Sequence, residues 1–205
     1  MSPKIVDKNA RRLEIAAVAG VLFGKYGFDK VTVDSVAKAA GIGKGTVYEY
    51  FQNKEALIDG AFETLMTHMM THMTDTLDLT LRPLDALRKL TFSMVDALNH
   101  VGEQYGFFLE YILMLNRGGG NAGILTGMLT EYRQMVGGLL EAAVDAGQVR
   151  ANLDIANAAA SYAAWFDGAI FHWMTIQSPD LKTLATAFWD FFVSGITPRE
   201  EAQIA

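Results

Sequence analysis

Residues 33–51 read VDSVAKAAGIGKGTVYEYF, and the spacing of their small and apolar residues leaves few ways to fold them. Two helices that cross at close range need a small residue at the crossing, a glycine at the turn, and apolar residues at set offsets to bury the contact. Ala37 takes the crossing, and Gly41, four residues on, stands where the first helix must end in a left-handed conformation. Val36, Ala40, Ile42 and Val47 occupy the offsets that bury. The outward positions of the second helix are Lys44, Gly45, Thr46, Tyr48 and Glu49: donors, acceptors and small residues rather than a second apolar face. A helix of this size fits the major groove of DNA, its first residues facing base edges or phosphates.

Two other phosphate-binding readings of the same stretch fail on spacing. A nucleotide P-loop requires Ser or Thr directly after Gly43-Lys44 and a glycine five residues before Gly43, but Gly45 and Lys38 stand there. The dinucleotide fingerprint requires glycine where Thr46 lies, and a strand rather than a helix before it.

The rest of the chain also reads as helix. Proline occurs only at positions 3, 83, 179 and 198, and no alternating β-branched run of strand length is present. A first helix spans about Asn9 to Tyr26, with Gly27 at its end; Thr32 caps a short helix to about Ala40, and another runs from Lys44 to Phe51. Asn53 caps a long helix from Lys54 to about Asp75. Further helices are predicted from Pro83 to His100, Gly102 to Asn116, Asn121 to Ala146, Asp154 to Gln177 and Pro179 to Ser194, with Gly118-Gly119-Gly120 a loop. The expectation is an all-α protein of about nine helices: a three-helix helix-turn-helix head over residues 1–53 and a six-helix body over 54–205.

Charge supports that division. Residues 1–54 carry nine Lys/Arg against five Asp/Glu, a balance of +4, whereas the remainder carries eight against eighteen, or −10. A basic head on an acidic body suits a molecule that meets phosphate at one end. The chain has no cysteine, which removes disulfides, cysteine zinc sites and thiol catalysis and fits a reducing cytoplasm. Its polar first residues do not read as a signal peptide, and its longest uncharged apolar stretches, such as Ile15 to Gly24, are too short to span a membrane. A cytoplasmic protein with no membrane partner and no cofactor is expected.

The order Phe23, Gly27-Phe28, Val31-Thr32-Val33, Val36-Ala37, Ala40-Gly41-Ile42, Gly45-Thr46-Val47-Tyr48, Tyr50-Phe51, Asn53-Lys54-Glu55 and Leu57 resembles the signature of the TetR family of regulators, over about residues 11–60. The resemblance implies a DNA-binding head, a variable ligand-binding body and a homodimer on a palindromic double-stranded operator. Carried over position by position, it implies that Lys44, Gly45 and Thr46 lie near bases and adjoining phosphates. It also implies that Tyr48 donates its hydroxyl to a phosphate, that Tyr50 sits near the backbone, and that Lys54 clamps another phosphate. Thr32 could face phosphate as well. Gly43 departs from the family's usual Ser or Thr, so one side-chain phosphate contact is missing.

In the body, the last two helices are unusually aromatic. The resemblance places the dimer there, and Tyr162, Phe166, Ala169, Trp173, Phe188, Phe191 and Phe192 are the interface candidates, though some such residues must belong to the chain's own core. A pocket for a small hydrophobic effector is assigned to Phe62, Met66, Met69, Met70, Phe107, Tyr111, Met114, Met128, Tyr132 and Trp165, because methionine and aromatic side chains adapt to varied apolar shapes. Ordinary core packing competes for each of them. Glu110, Asn116, Arg133 and His172 are the polar residues available to orient a ligand. His68 and His72 have a zinc-compatible spacing but no third ligand at a fixed offset, so no metal is expected.

An enzymatic reading finds no nucleophile elbow, metal cluster or activated cysteine. The expectation is therefore a ligand-responsive repressor released from its operator by the effector. A helical protein-interaction module, or an activator without ligand release, is the alternative.

Overall fold

The computed structural model describes residues 7–99, 104–176 and 179–198. Among them the chain forms nine helices and no strand. They are α1 (Lys8–Tyr26), α2 (Val33–Ala39), α3 (Lys44–Tyr50), α4 (Lys54–Thr76), α5 (Pro83–Asn99), α6 (Gln104–Asn116), α7 (Ala122–Asp145), α8 (Ile155–Ile176) and α9 (Leu181–Ile196). The expected ends at His100, Gly102 and Gln177 lie outside the described residues.

Local capping explains most boundaries. Asp7 opens α1 by accepting from Asn9 N and Ala10 N, and Gly27 closes it at φ +81°, its N–H returning to Phe23 O at 2.9 Å. Thr32 and Ser35 form a reciprocal box at the start of α2, each side chain accepting from the other's backbone N–H. Asn53 Oδ1 accepts from Ala56 N at 2.7 Å to open α4. The last helix departs from expectation: Asp180, not Pro179, is the boundary residue, its carboxylate accepting from Thr183 N at 2.8 Å, and α9 continues past Ser194 to Ile196.

Packing divides the chain into two compact units, with the divisions falling inside α4 after Met70 and inside α7 after Gly127. The first unit holds α1, α2, α3, most of α4, α6 and the start of α7. Its centre is an aromatic cluster in which Phe107 of α6 meets Phe23, Phe28 and Phe62 at centroid distances of 5.9, 5.5 and 5.9 Å. Gly106 brings α6 close to α1: a Cβ there would lie 3.3 Å from Gly24 O. The second unit packs α5 and α8 against α9, with Leu87, Leu90, Leu140 and Leu181 almost wholly buried. Burial of each such side chain contributes roughly 1.5–3 kcal/mol. Buried polar groups there are satisfied: Thr91 Oγ1 meets the Tyr162 hydroxyl and also lies 2.7 Å from Leu87 O, which leaves neither hydroxyl unsatisfied. No helix among the described residues is long and apolar enough to cross a membrane.

Candidate nucleic-acid interface

The α2–α3 corner is built as the residue spacing requires. Val36, Ala37 and Val47 are buried where the helices meet, while Ala40 and Ile42, expected to bury with them, are half-buried at the turn. Gly41 takes φ +65°; its N–H reaches Lys38 O at 3.2 Å, and Ile42 N–H reaches Ala37 O at 3.0 Å. That pair of bonds satisfies carbonyls that the end of α2 would otherwise leave open, and it turns the chain sharply into α3.

With Val47 facing inward and Phe51 buried behind it, α3 presents its remaining side chains outward. Lys44, Gly45 and Glu49 are exposed, Tyr48 is 47% exposed, and Thr46 and Tyr50 are half-buried. Among the described residues Lys30, Lys38 and Lys44 have no salt-bridge partner, so their charge is available to an outside anion. Thr32 is exposed; its oxygen accepts from Ser35 N at 3.1 Å, which leaves the hydroxyl proton free to donate. Gly43, at the start of α3, makes no side-chain cap.

Lys54 is placed differently from the others. It is half-buried, and its Nζ donates to Phe28 O at 2.5 Å, inside the first unit. Glu110, expected among residues that could orient a ligand, accepts from Phe28 N–H at 2.6 Å instead. Asn116, Arg133 and His172 are exposed.

The head is mounted on α4 by a group that sequence reasoning missed. The Arg12 guanidinium lies 5.2 Å from the centre of the Phe51 ring and pairs with Glu63 at 3.2 Å. Gly60 abuts the edge of the ring, where a Cβ would stand 2.5 Å from Phe51 Cε1. A glycine inside a long helix was the available signal, because it has a cost that something must offset.

The residues assigned to an effector pocket separate on inspection. In the first unit Phe62, Met66, Phe107 and Tyr111 are fully buried, and Met69, Met70 and Met114 half-buried. Phe62 stacks on Tyr111 at 3.7 Å, and the Tyr111 hydroxyl donates to Asp59 at 2.7 Å. Burial, reinforced by Asp59, raises the Tyr111 phenol well above its ordinary range, so it stays a neutral donor. Met114 packs against the glycine loop, where Gly120 could not carry a Cβ without meeting Met114 Cε at 2.6 Å. That loop is also tied to α4, through Gly120 N to Glu55 at 2.8 Å and Asn121 N to Asp59 at 3.1 Å. In the second unit Tyr132 is buried and its phenol pushed up by desolvation; Met128 and Trp165 are half-buried, with Trp165 stacked on Phe188 at 3.9 Å.

The interface candidates also separate. Tyr162, Phe166 and Ala169 are buried in the chain's own packing, with Tyr162 held by Thr91, Phe188 and Phe192. They are therefore unavailable to a partner. Trp173, Phe188 and Phe192 are half-buried, and Phe191 is 78% exposed. His72 Nε2 lies 3.4 Å from Ser93 O, and His68 is exposed.

The family model described as "Bacterial regulatory proteins, tetR family" matches residues 15–61, which run from within α1 to the first turns of α4. The HTH-type transcriptional repressor KstR2 of Rhodococcus jostii is 29% identical over 163 residues, covering 76% of this chain and 78% of that repressor. Among solved structures, the fatty acid degradation regulator FadR of Bacillus halodurans superposes with a TM-score of 0.76 at 21% identity, covering 91% of this chain and 96% of its own. FadR of Bacillus subtilis, solved with stearoyl-CoA, gives 0.71 at 23% identity, covering 90% and 98%. At these identities the two structures speak to the fold.

Proposed function

The chain belongs to the TetR family of bacterial regulatory proteins, and from that premise we propose that it is a ligand-responsive repressor, not an enzyme, acting in the cytoplasm as a homodimer on a palindromic operator. The observation that carries the reading is the outward face of α3, where Lys44, Gly45 and Tyr48 are exposed and Thr46 is half-buried between them, while Val47 anchors the helix from behind. In this reading α3 enters the major groove. Lys44, Gly45 and Thr46 meet bases and adjoining phosphates, and the Tyr48 hydroxyl, Tyr50 and Thr32 meet backbone.

The effector is proposed to be a small hydrophobic molecule held in the body. Support comes from the soft methionines Met66, Met69 and Met70 on α4 of the first unit, and from similarity to regulators of fatty acid degradation, one of them solved with stearoyl-CoA. Binding there would favour a state in which the two heads no longer match half-sites about 34 Å apart.

The test is fluorescence anisotropy with a palindromic duplex, selected by the wild-type protein from a random library, over a range of salt concentrations. Log affinity should fall steeply with log salt. Lys44→Ala should reduce the slope by about 0.9 for each phosphate lost, on any sequence. Tyr48→Phe should weaken binding without altering the fold. Affinity indifferent to salt and to both substitutions would sink the assignment. Stearoyl-CoA added to the complex is the first effector probe, with release of labelled duplex as its readout.

A further inference from the structure

We propose that Glu110 and Lys54 are positioning residues that hold Phe28 between them and so set the angle at which α2 and α3 are presented; the inference rests on the DNA-binding reading above. Phe28 lies in the turn between α1 and α2. Its N–H donates to Glu110 Oε2 at 2.6 Å, and its carbonyl accepts from Lys54 Nζ at 2.5 Å. The two polar backbone atoms of one residue are thus gripped by an anion from α6 and a cation from α4. Both bonds involve a charged partner in a half-buried setting, the stronger class of hydrogen bond.

Three further features fit a dedicated clamp. Gly27 has φ +81°, and a Cβ there would lie 2.8 Å from Glu110 Oε1, so the turn keeps open the space that the carboxylate occupies. The Phe28 ring meets Phe107 edge-on at 5.5 Å, and Phe107 precedes Glu110 by one helical turn, so α6 supplies both an apolar seat and an acceptor to the same residue. Downstream, Val31 N–H returns to Gly27 O at 3.4 Å, Val31 is buried, and Thr32 caps α2. A displacement of α6 therefore carries Phe28 with it, and Phe28 carries the start of α2.

This assignment separates Lys54 from Lys44. A lysine that neutralises a phosphate contributes about 0.9 to the slope of log affinity against log salt, whereas a positioning residue shifts affinity and leaves the slope alone. The experiment uses the full chain as wild type, Glu110→Ala, Glu110→Gln and Lys54→Met. Hydrogen exchange of the 27–33 segment is followed without DNA, and affinity for the library-selected duplex is measured across salt. In Glu110→Ala and Lys54→Met the segment should exchange roughly tenfold faster or more, and affinity should fall about tenfold with an unchanged slope. Glu110→Gln keeps an acceptor oxygen and should restore both readouts to within about threefold.

Unchanged exchange in Glu110→Ala, a glutamine variant no better than alanine, or a Lys54→Met slope smaller by one phosphate contact would each overturn the proposal. If Glu110→Ala does not fold, Lys54→Met and Glu110→Gln carry the same decision. Failure of the wild type to select any duplex would refute the DNA-binding reading, while exchange in the 27–33 segment would still report whether the clamp exists.

Discussion

Glycine has a different reason at each position where the head depends on it. Gly41 needs its left-handed φ of +65°, which the residue spacing already demanded of a helix-turn-helix corner. Gly45 has ordinary helical geometry and open space around it: a Cβ there would meet nothing within 4 Å. Nothing inside the fold excludes a side chain at that position, so in the proposed complex any limit on its size is set by the groove. Gly45→Ala should therefore raise thermal stability slightly, by up to about 1 kcal/mol, because alanine is the better helix former. The same substitution should weaken duplex binding several-fold, because the added methyl keeps the backbone of α3 from closing on the groove. Calorimetry and anisotropy on one preparation would show both signs, and a variant that gains stability while binding DNA unchanged would remove Gly45 from the interface. Glu110 marks the limit of what single residues reveal. Its polarity was legible, but its partner lies 82 residues away, and no local spacing encodes that distance.

Helices were the legible unit, because the forces that start and stop them are local. Gly27, Thr32, Asn53 and Gly41 announce boundaries through conformations and caps that depend on a few neighbours. The same logic went astray at α9, where Pro179 looked like a first helical residue but Asp180 accepts the Thr183 N–H and begins the helix after it. How elements fit together was less legible. The mount of the head on α4 depends on Gly60 lying against the edge of the Phe51 ring, with Arg12 over the ring and paired to Glu63. Gly60→Ala gains helix propensity, but its methyl would stand 2.5 Å from a ring atom of a residue that is itself buried and cannot swing away. Overpacking of this kind costs about 1–3 kcal/mol, which exceeds the gain. The expected result is a lower unfolding midpoint in urea, and an unchanged or higher midpoint would mean that α4 and the ring separate without cost.

On the scale of the whole molecule, the aromatic residues of α8 and α9 divide into those the chain keeps and those it leaves outside. Tyr162, Phe166 and Ala169 fill the second unit, whereas Phe191 is 78% exposed, Phe171 60% and Ile176 58%. Sequence pattern could not make that division, since an apolar face looks the same whether it meets its own chain or a copy. Large apolar side chains left exposed on neighbouring helices mark a surface that association would cover, and the proposed homodimer supplies the cover. A glutamate at Phe191 would place a charge in that surface with no partner to compensate it, while the monomer keeps its core. Phe191→Glu should therefore sediment towards the single-chain mass of 22.4 kDa with its far-ultraviolet helix signal intact. Duplex affinity should then fall on the order of 100-fold or more, because two linked heads bind far more tightly than one. The salt slope should also fall to about half, since one head neutralises half the phosphates. A Phe171→Glu, Phe191→Glu double variant that remained dimeric and kept the full slope would show that these helices do not join two copies, and a two-headed reading of the palindrome would then need a different surface.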